Sequence, residues 1–187
     1  WKKYYIMKFI KTDIEGVVII EPRVFNDPRG YFMESWKKDL FAKEIGDINF
    51  IQDNESKSTF GVLRGLHYQK GQYSQAKLVR VIKGKVLDVA VDIRRNSPTF
   101  GKHIMVELSD ENKRQLFIPR GFAHGFLVLS DDAIFTYKVD NQYAPHSEAS
   151  IFYNDPELGI EWPISNDEMI LSDKDKCASL LKDAELF

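Results

Sequence analysis

Cysteine is almost absent: Cys177 stands alone among 187 residues. That excludes a disulfide framework and a cysteine-built metal centre, and it fits a reducing, cytoplasmic setting. No apolar run has the length needed to span a bilayer. Basic residues never form a run of five or more, and 26 Lys and Arg against 28 Asp and Glu leave a net charge of -2. Such a balance carries no footprint for nucleic acid. There is no internal repeat, no low-complexity segment, no linker, and none of the long crossover helices that a parallel sheet requires. A single domain over residues 7–187 is expected. Residues 1–6 read as an expression remnant or an upstream extension ahead of a natural start at Met7.

What the chain does have is strand composition, with 43% apolar and 13% aromatic residues. Gly16 to Phe25 is a β-branched run that ends in the turn residues Asn26 to Gly30, and Tyr31 to Trp36 reads as another short strand. Trp36, Leu40, Phe41 and Ile45 recur at helical spacing and stop at Gly46. Further strands are expected at Asn49 to Gln52, Gly61 to Tyr68, Lys77 to Ile82, Lys85 to Ile93, Ile104 to Leu108 and Gln115 to Ile118. Gly125 to Leu129, Ile134 to Val139 and Ser150 to Tyr153 complete the series. Many short strands with little helix between them predict an all-β antiparallel sandwich or jelly roll with a few short helices. Ser172 and Asp175 resemble a capping box ahead of a closing helix over Cys177 to Leu186.

Several polar residues sit where strand alternation calls for apolar ones. In Leu63-Arg64-Gly65-Leu66-His67-Tyr68-Gln69, strict alternation puts Leu63, Gly65, His67 and Gln69 on one face and Arg64, Leu66 and Tyr68 on the other. Gly65 would leave room for something to approach the His67 ring; a core histidine with one hydrogen bond is the plainer alternative. Lys77 shares its face with Val79 and Val81, either inward toward an anion or as an edge-strand lysine in solvent. Tyr137 shares a face with Phe135 and Val139, as core or as a functional phenol. Asp88 and Asp92 flank Ala90 on a face that is either a polar barrel interior or a solvated exterior.

Ile118-Pro-Arg-Gly-Phe-Ala-His124-Gly-Phe carries the Pro-x-Gly-x-x-His spacing of the second cupin motif, which belongs to double-sheet jelly-roll barrels. Metal-holding cupins also need a His-x-His and a Glu; here His67 is followed by Tyr68-Gln69, so no metal is expected. The chain resembles the dTDP-4-dehydrorhamnose 3,5-epimerase family from about Met7 onward. The resemblance is carried by Asp27-Pro-Arg-Gly-Tyr-Phe-Met-Glu-Ser, Gln52-Asp-Asn, Leu63-Arg-Gly-Leu-His-Tyr-Gln, Lys77-Leu-Val-Arg and Val89-Ala-Val-Asp-Ile-Arg. It continues through Ser97-Pro-Thr-Phe-Gly, Asn112-Lys-Arg-Gln-Leu, the cupin segment, Tyr137-Lys and Gly159-Ile-Glu-Trp-Pro.

The resemblance implies a cupin-like barrel that epimerises dTDP-4-dehydro-6-deoxyglucose without cofactor. It implies His67 as base, Asp175 as its carboxylate partner, Tyr137 as acid on the opposite face and Lys77 as support for the enolate oxygen. Substrate contacts would come from Arg29, Glu34, Gln52, Asn54, Arg64, Lys77, His124, Glu148 and Lys174, with Phe32 and Tyr143 lining the site. Arg29 and Glu34 would reach across from a partner subunit, so a homodimer is implied. Two departures from the family pattern are visible. Pro28 stands where an acidic residue is common, and Asn166 to Ile170 carries an apparent one-residue insertion that bears on Lys174 and Asp175.

These residue types suit the chemistry. Proton removal beside a ketone needs a positioned base, and histidine is partly neutral near pH 7. A carboxylate on its second nitrogen fixes the tautomer, a lysine holds the enolate charge, and a phenol can return a proton. Arginine forks suit a diphosphate. Three alternatives remain open: a single-carbon epimerase, a ketoisomerase on the same barrel, and a cupin that only binds a sugar nucleotide.

Overall fold

The computed structural model describes residues 7–187; the expectation for residues 1–6 lies outside them. Short alternating runs fold as strands wherever one face can be buried. In chain order they are β1 (Met7–Lys11), β2 (Val18–Pro22), β3 (Val24–Asp27), β4 (Gly30–Met33), β5 (Gln52–Thr59), β6 (Leu63–Gln69) and β7 (Lys77–Lys83). Then come β8 (Lys85–Asp92), β9 (His103–Ser109), β10 (Gln115–Ile118), β11 (Phe122–Val128), β12 (Asp132–Val139) and β13 (Glu148–Ser150). The helices are α1 (Lys38–Glu44) and α2 (Asp173–Lys176).

A six-stranded sheet runs β1-β2-β10-β7-β12-β5 and a five-stranded sheet runs β13-β6-β11-β8-β9, while β3 and β4 pair by themselves. Every pairing between these strands is antiparallel. The expected jelly roll is what forms. Its interior is packed by Val79, Val81, Val86, Ala90, Leu116, Phe126 and Phe135. A second cluster (Leu66, Tyr68, Val89, Val91, Ile151) covers the outer face of the five-stranded sheet. A third (Val18, Ile20, Phe41, Leu78, Phe117) covers the outer face of the six-stranded one.

Three expectations need correction. β5 runs Gln52–Thr59, not Asn49 to Gln52. It is polar on both faces because it forms the edge of its sheet and looks outward on one side and into the barrel on the other. The closing helix over Cys177 to Leu186 does not form: α2 is a single turn, and only a 3-10 turn at Leu181–Asp183 follows. Leu181 and Ala184 pack instead against the outer face of the five-stranded sheet, which holds this segment in an open path.

The third correction concerns β6. His124 pairs with His67, but Phe126 pairs with Arg64, so two residues of β6 oppose the single Gly125. Such a bulge reverses the alternation. Leu63, Leu66 and Tyr68 therefore pack outside the sheet, while Arg64 and His67 face the barrel together. Gly65 also differs from expectation. What comes close to it is backbone, since a Cβ there would lie 2.6 Å from the Gly125 Cα and 2.6 Å from the His124 carbonyl oxygen.

Candidate active site

His67 enters the barrel from β6 and Asp175 reaches it from the turn of α2. The ring Nε2 lies 2.5 Å from Asp175 Oδ1. A carboxylate can only accept, so the neutral ring carries its proton on Nε2 and presents Nδ1 as the free base. Asp175 is 3% exposed. Burial pushes its carboxyl up, but the hydrogen bond and charge of His67, with Ser172 and the Gly65 backbone, outweigh that and hold it below its usual range. Ser172 Oγ also donates to Asp175 Oδ2 at 2.9 Å and accepts from the Asp175 N–H at 3.2 Å. The Ser172 cap thus steadies the carboxylate that steadies the histidine.

From the facing sheet come Lys77 on β7 and Tyr137 on β12, both facing inward, which for Lys77 is one of the two placements that alternation left open. Lys77 Nζ lies 5.9 Å from the centre of the Tyr137 ring. Burial lowers Lys77 to about 8, opposed by the carboxylates of Asp88 and Glu148. Burial raises the Tyr137 phenol, with Arg64 pulling the other way and Glu148 and Tyr143 adding to the rise. A neutral phenol and an ammonium thus stand opposite the His67 imidazole.

His124 sits beside His67 on β11 and is 7% exposed, its ring stacked near Phe135 at 6.1 Å. Its Nε2 lies 3.0 and 2.9 Å from the two oxygens of Asp88. Asp88 and Asp92 are both fully buried, so the face they share is interior. Asp92 serves a loop, accepting from Arg94, Ser97 and Thr99.

Around this centre lie most of the other expected residues. Arg64 Nε donates to Ser58 Oγ at 3.1 Å. Gln52 donates to Asn54 at 2.8 Å, and Asn54 pairs with Tyr137 across β5 and β12. At the rim, Glu148 takes the Lys174 ammonium at 2.6 Å and the Tyr143 hydroxyl at 3.0 Å. Burial raises Glu148, yet Lys174, Tyr143 and His67 together bring it below its ordinary value.

Arg29, Phe32 and Glu34 are placed elsewhere. Arg29 pairs with Asp27 at the tip of its own β3–β4 hairpin, at 2.6 Å, and Phe32 is 67% exposed beside it. The hairpin's root lies on the outer face of the six-stranded sheet, where Gln115 donates to the Ser35 carbonyl at 2.7 Å. A cleft of ≈ 420 Å3 opens on this outer side, lined by Ser35, Trp36, Arg80, Gln115 and Lys138 among others. Glu34 Oε2, Trp36 Nε1 and Arg80 Nη1 are buried without a hydrogen-bond partner among the described residues.

Sequence reading did not give Asp88 a role; its place two residues from Ala90 was the one available signal. Among the described residues, no group of three or more His, Cys, Asp or Glu could hold a metal ion. Among the described residues, no helix is long and apolar enough to cross a membrane.

A family model described as dTDP-4-dehydrorhamnose 3,5-epimerase matches residues 11–183. The chain is 56% identical over 182 residues to the dTDP-4-dehydrorhamnose 3,5-epimerase of Shigella flexneri, covering 97% of this chain and 99% of that one. Among solved structures it is similar to the dTDP-6-deoxy-D-glucose-3,5-epimerase of Legionella pneumophila in complex with dTDP-4-keto-L-rhamnose. The TM-score is 0.92 at 52% identity, over 96% of this chain and 95% of that one. A 3'-monoepimerase of Streptomyces bikiniensis in complex with dTDP-quinovose follows the same fold, with a TM-score of 0.87 at 37% identity over 92% and 87% of the two chains.

Proposed function

The chain belongs to the dTDP-4-dehydrorhamnose 3,5-epimerase family of isomerases, and from that premise we propose that it converts dTDP-4-dehydro-6-deoxy-D-glucose to dTDP-4-dehydro-L-rhamnose. The observation that carries the assignment of roles is the arrangement of His67 and Tyr137 on facing sheets, with Lys77 beside the phenol.

His67 Nδ1 takes the proton from the carbon next to the ketone, and the bonding pair moves onto the ketone oxygen as an enolate. The Lys77 ammonium, in a water-poor interior, offsets that charge. Tyr137 then donates its phenolic proton to the opposite side of the same carbon, which inverts it. Proton exchange with solvent resets both groups, and the same pair serves the second carbon flanking the ketone. Asp175 holds the imidazole in register and stabilises the imidazolium that forms.

Arg64 supplies a guanidinium for the diphosphate, and the rim of Glu148, Lys174 and Tyr143 receives the nucleotide end. Gln52, Asn54 and His124 complete the contacts. Arg29, Phe32 and Glu34 act on the site of a second copy. Phe25, Tyr31 and Phe32 are exposed together on the β3–β4 hairpin, and a projecting apolar hairpin of this kind suits a homodimer. The free, exposed Cys177 agrees with a reducing, cytoplasmic setting. The reaction uses neither metal nor cofactor.

A single-carbon epimerase is the second reading, favoured by the likeness to the 3'-monoepimerase. Incubation with dTDP-4-dehydro-6-deoxy-D-glucose in deuterated water separates the readings. Two deuterons with double inversion support the proposal, one deuteron supports the second reading, and none leaves a protein that only binds the nucleotide sugar.

A further inference from the structure

We infer that Asp88 is a positioning residue of the reaction: from β8 it fixes the tautomer of His124 and sets a buried carboxylate within reach of the Lys77 ammonium's field. The inference rests on the epimerase reading of the site.

Alternation along β8 would ordinarily put an apolar residue between Val86 and Ala90, which both pack in the barrel core. An aspartate stands there, fully buried. Burying a carboxylate is costly unless it is paired and hydrogen-bonded, so its retention needs a reason. Both of its oxygens converge on one atom, His124 Nε2, at 3.0 and 2.9 Å. The ring therefore carries its proton on Nε2, and Nδ1 is left as an acceptor for a sugar hydroxyl. Without the carboxylate either tautomer could form, and one of the two would offer the wrong partner.

The charge on His124 follows from its surroundings. Burial lowers its pKa, the Asp88 carboxylate opposes that, and Lys77 and His67 add to the lowering. A neutral ring leaves the Asp88 charge uncompensated except by Lys77. The other ionisable groups around Lys77 and His124 are His67 and Arg64 on β6, Glu148 on β13, Tyr137 on β12, and Lys174 and Asp175 on α2. Asp88 and Glu148 are the carboxylates that hold Lys77 up, and Glu148 is already engaged by Lys174. Asp88 is therefore one of two carboxylates that favour the Lys77 ammonium, and it is the fully buried one.

The test has two arms. In the parent chain, nitrogen-15 NMR of the histidine side chains should show His124 neutral and protonated on Nε2 from pH 6 to 8. A ring protonated on Nδ1, or an imidazolium, overturns the tautomer assignment. In Asp88→Asn the fold is checked by thermal unfolding, and deuterium exchange into the keto sugar is followed against pH. The high-pH limb of kcat should move down by about one unit, because a lost counter-charge makes the ammonium easier to deprotonate. At pH 8 kcat should fall about fivefold with KM little changed, the split expected of a group that acts on the transition state. A purely structural Asp88 predicts an unmoved pH profile, and a profile that superimposes on the parent's overturns the charge assignment. If the variant does not fold, the parent's tautomer decides. If the parent chain exchanges no deuterium at all, the epimerase reading fails, while the tautomer arm still stands or falls by itself.

Discussion

His67 Nε2 and Asp175 Oδ1 lie 2.5 Å apart although 108 positions separate them in sequence. The contact exists because α2 folds against β6, and because Ser172 Oγ receives the Asp175 N–H and so directs the first turn of α2. Ser172 and Asp175 form the forward half of a capping box. The Asp175 carboxylate accepts from the Ser172 hydroxyl, not from the backbone N–H that a capping box would use, and its other oxygen meets His67. Structure and chemistry therefore use different atoms of one residue, and variants can separate them.

Replacing His67 with Ala should cut turnover about 10²- to 10⁴-fold, the ordinary contribution of a positioned base. Binding of dTDP, measured by calorimetry, should change little because Arg64, Lys174 and Glu148 remain. More than a tenth of parental exchange in this variant would remove His67 from the role of base.

Asp175→Asn leaves the backbone N–H that Ser172 caps but removes the charge facing His67. We predict a rate loss of at least about tenfold at pH 7 with little change in unfolding free energy. Ser172→Ala should show the opposite balance, costing about 1 kcal/mol of stability through the lost cap. Equal rates in the parent and Asp175→Asn would reduce Asp175 to a helix residue.

Activity should fall as pH rises through about 8, where Lys77 gives up its proton under the pressure of burial. On the proposed role the ammonium offsets the enolate, so the rate should be full below that value and lost above it. Tyr137 titrates on the far side, because burial raises it from an ordinary value of 10.0. A Lys77→Arg chain keeps its charge at all these values, so its lower rate should stay level between pH 7 and 9. A persistent fall in that variant would assign the limb to another group.

Much of the site was legible because alternation is a local rule. Lys77 beside Val79, and Tyr137 beside Phe135, point inward as their strands require. Arg64 was misplaced because a single extra residue at Gly65 reverses every later side chain, and the sequence there gives no sign of which strand will carry the bulge. β5 was misread because Asp53-Asn54-Glu55-Ser56-Lys57 has no apolar face; its strand state comes from pairing with β12. The tail was read as a helix from its composition, but docking on the outer sheet won over weak local propensity. Arg29 stands apart from this centre, ion-paired with Asp27 at the tip of its own hairpin.

The bulge itself can be tested. At Gly65 the backbone φ is +118°, and an added Cβ would meet backbone atoms of Gly125 and His124 at 2.6 Å each. Neither neighbour can rotate away, as a side chain could. Gly65→Ala should therefore cost at least about 2 kcal/mol in chemical denaturation. It should also lower activity beyond what stability explains, since Arg64 and His67 depend on this register. A variant within about 0.5 kcal/mol of the parent, with full activity, would show that the strand crossing tolerates a side chain.

Tyr137 offers the sharpest separation, because epimerisation consists of two steps served by facing sheets. On the proposed roles, His67 removes a proton from one side and Tyr137 delivers one from the other. Tyr137→Phe deletes the donor and keeps the ring that packs near Phe135, 6.2 Å between centroids. The enolate still forms in this variant, stabilised by Lys77, and the protonated His67 can return a proton or a solvent deuteron to the side it came from. Deuterium should thus enter the sugar with retention while inversion falls by about a hundredfold or more. A structural tyrosine makes a different forecast, in which exchange and inversion decline in proportion or not at all. Both quantities can be read from one NMR sample in deuterated water, and a proportional decline would mean that a single face of the barrel handles both protons.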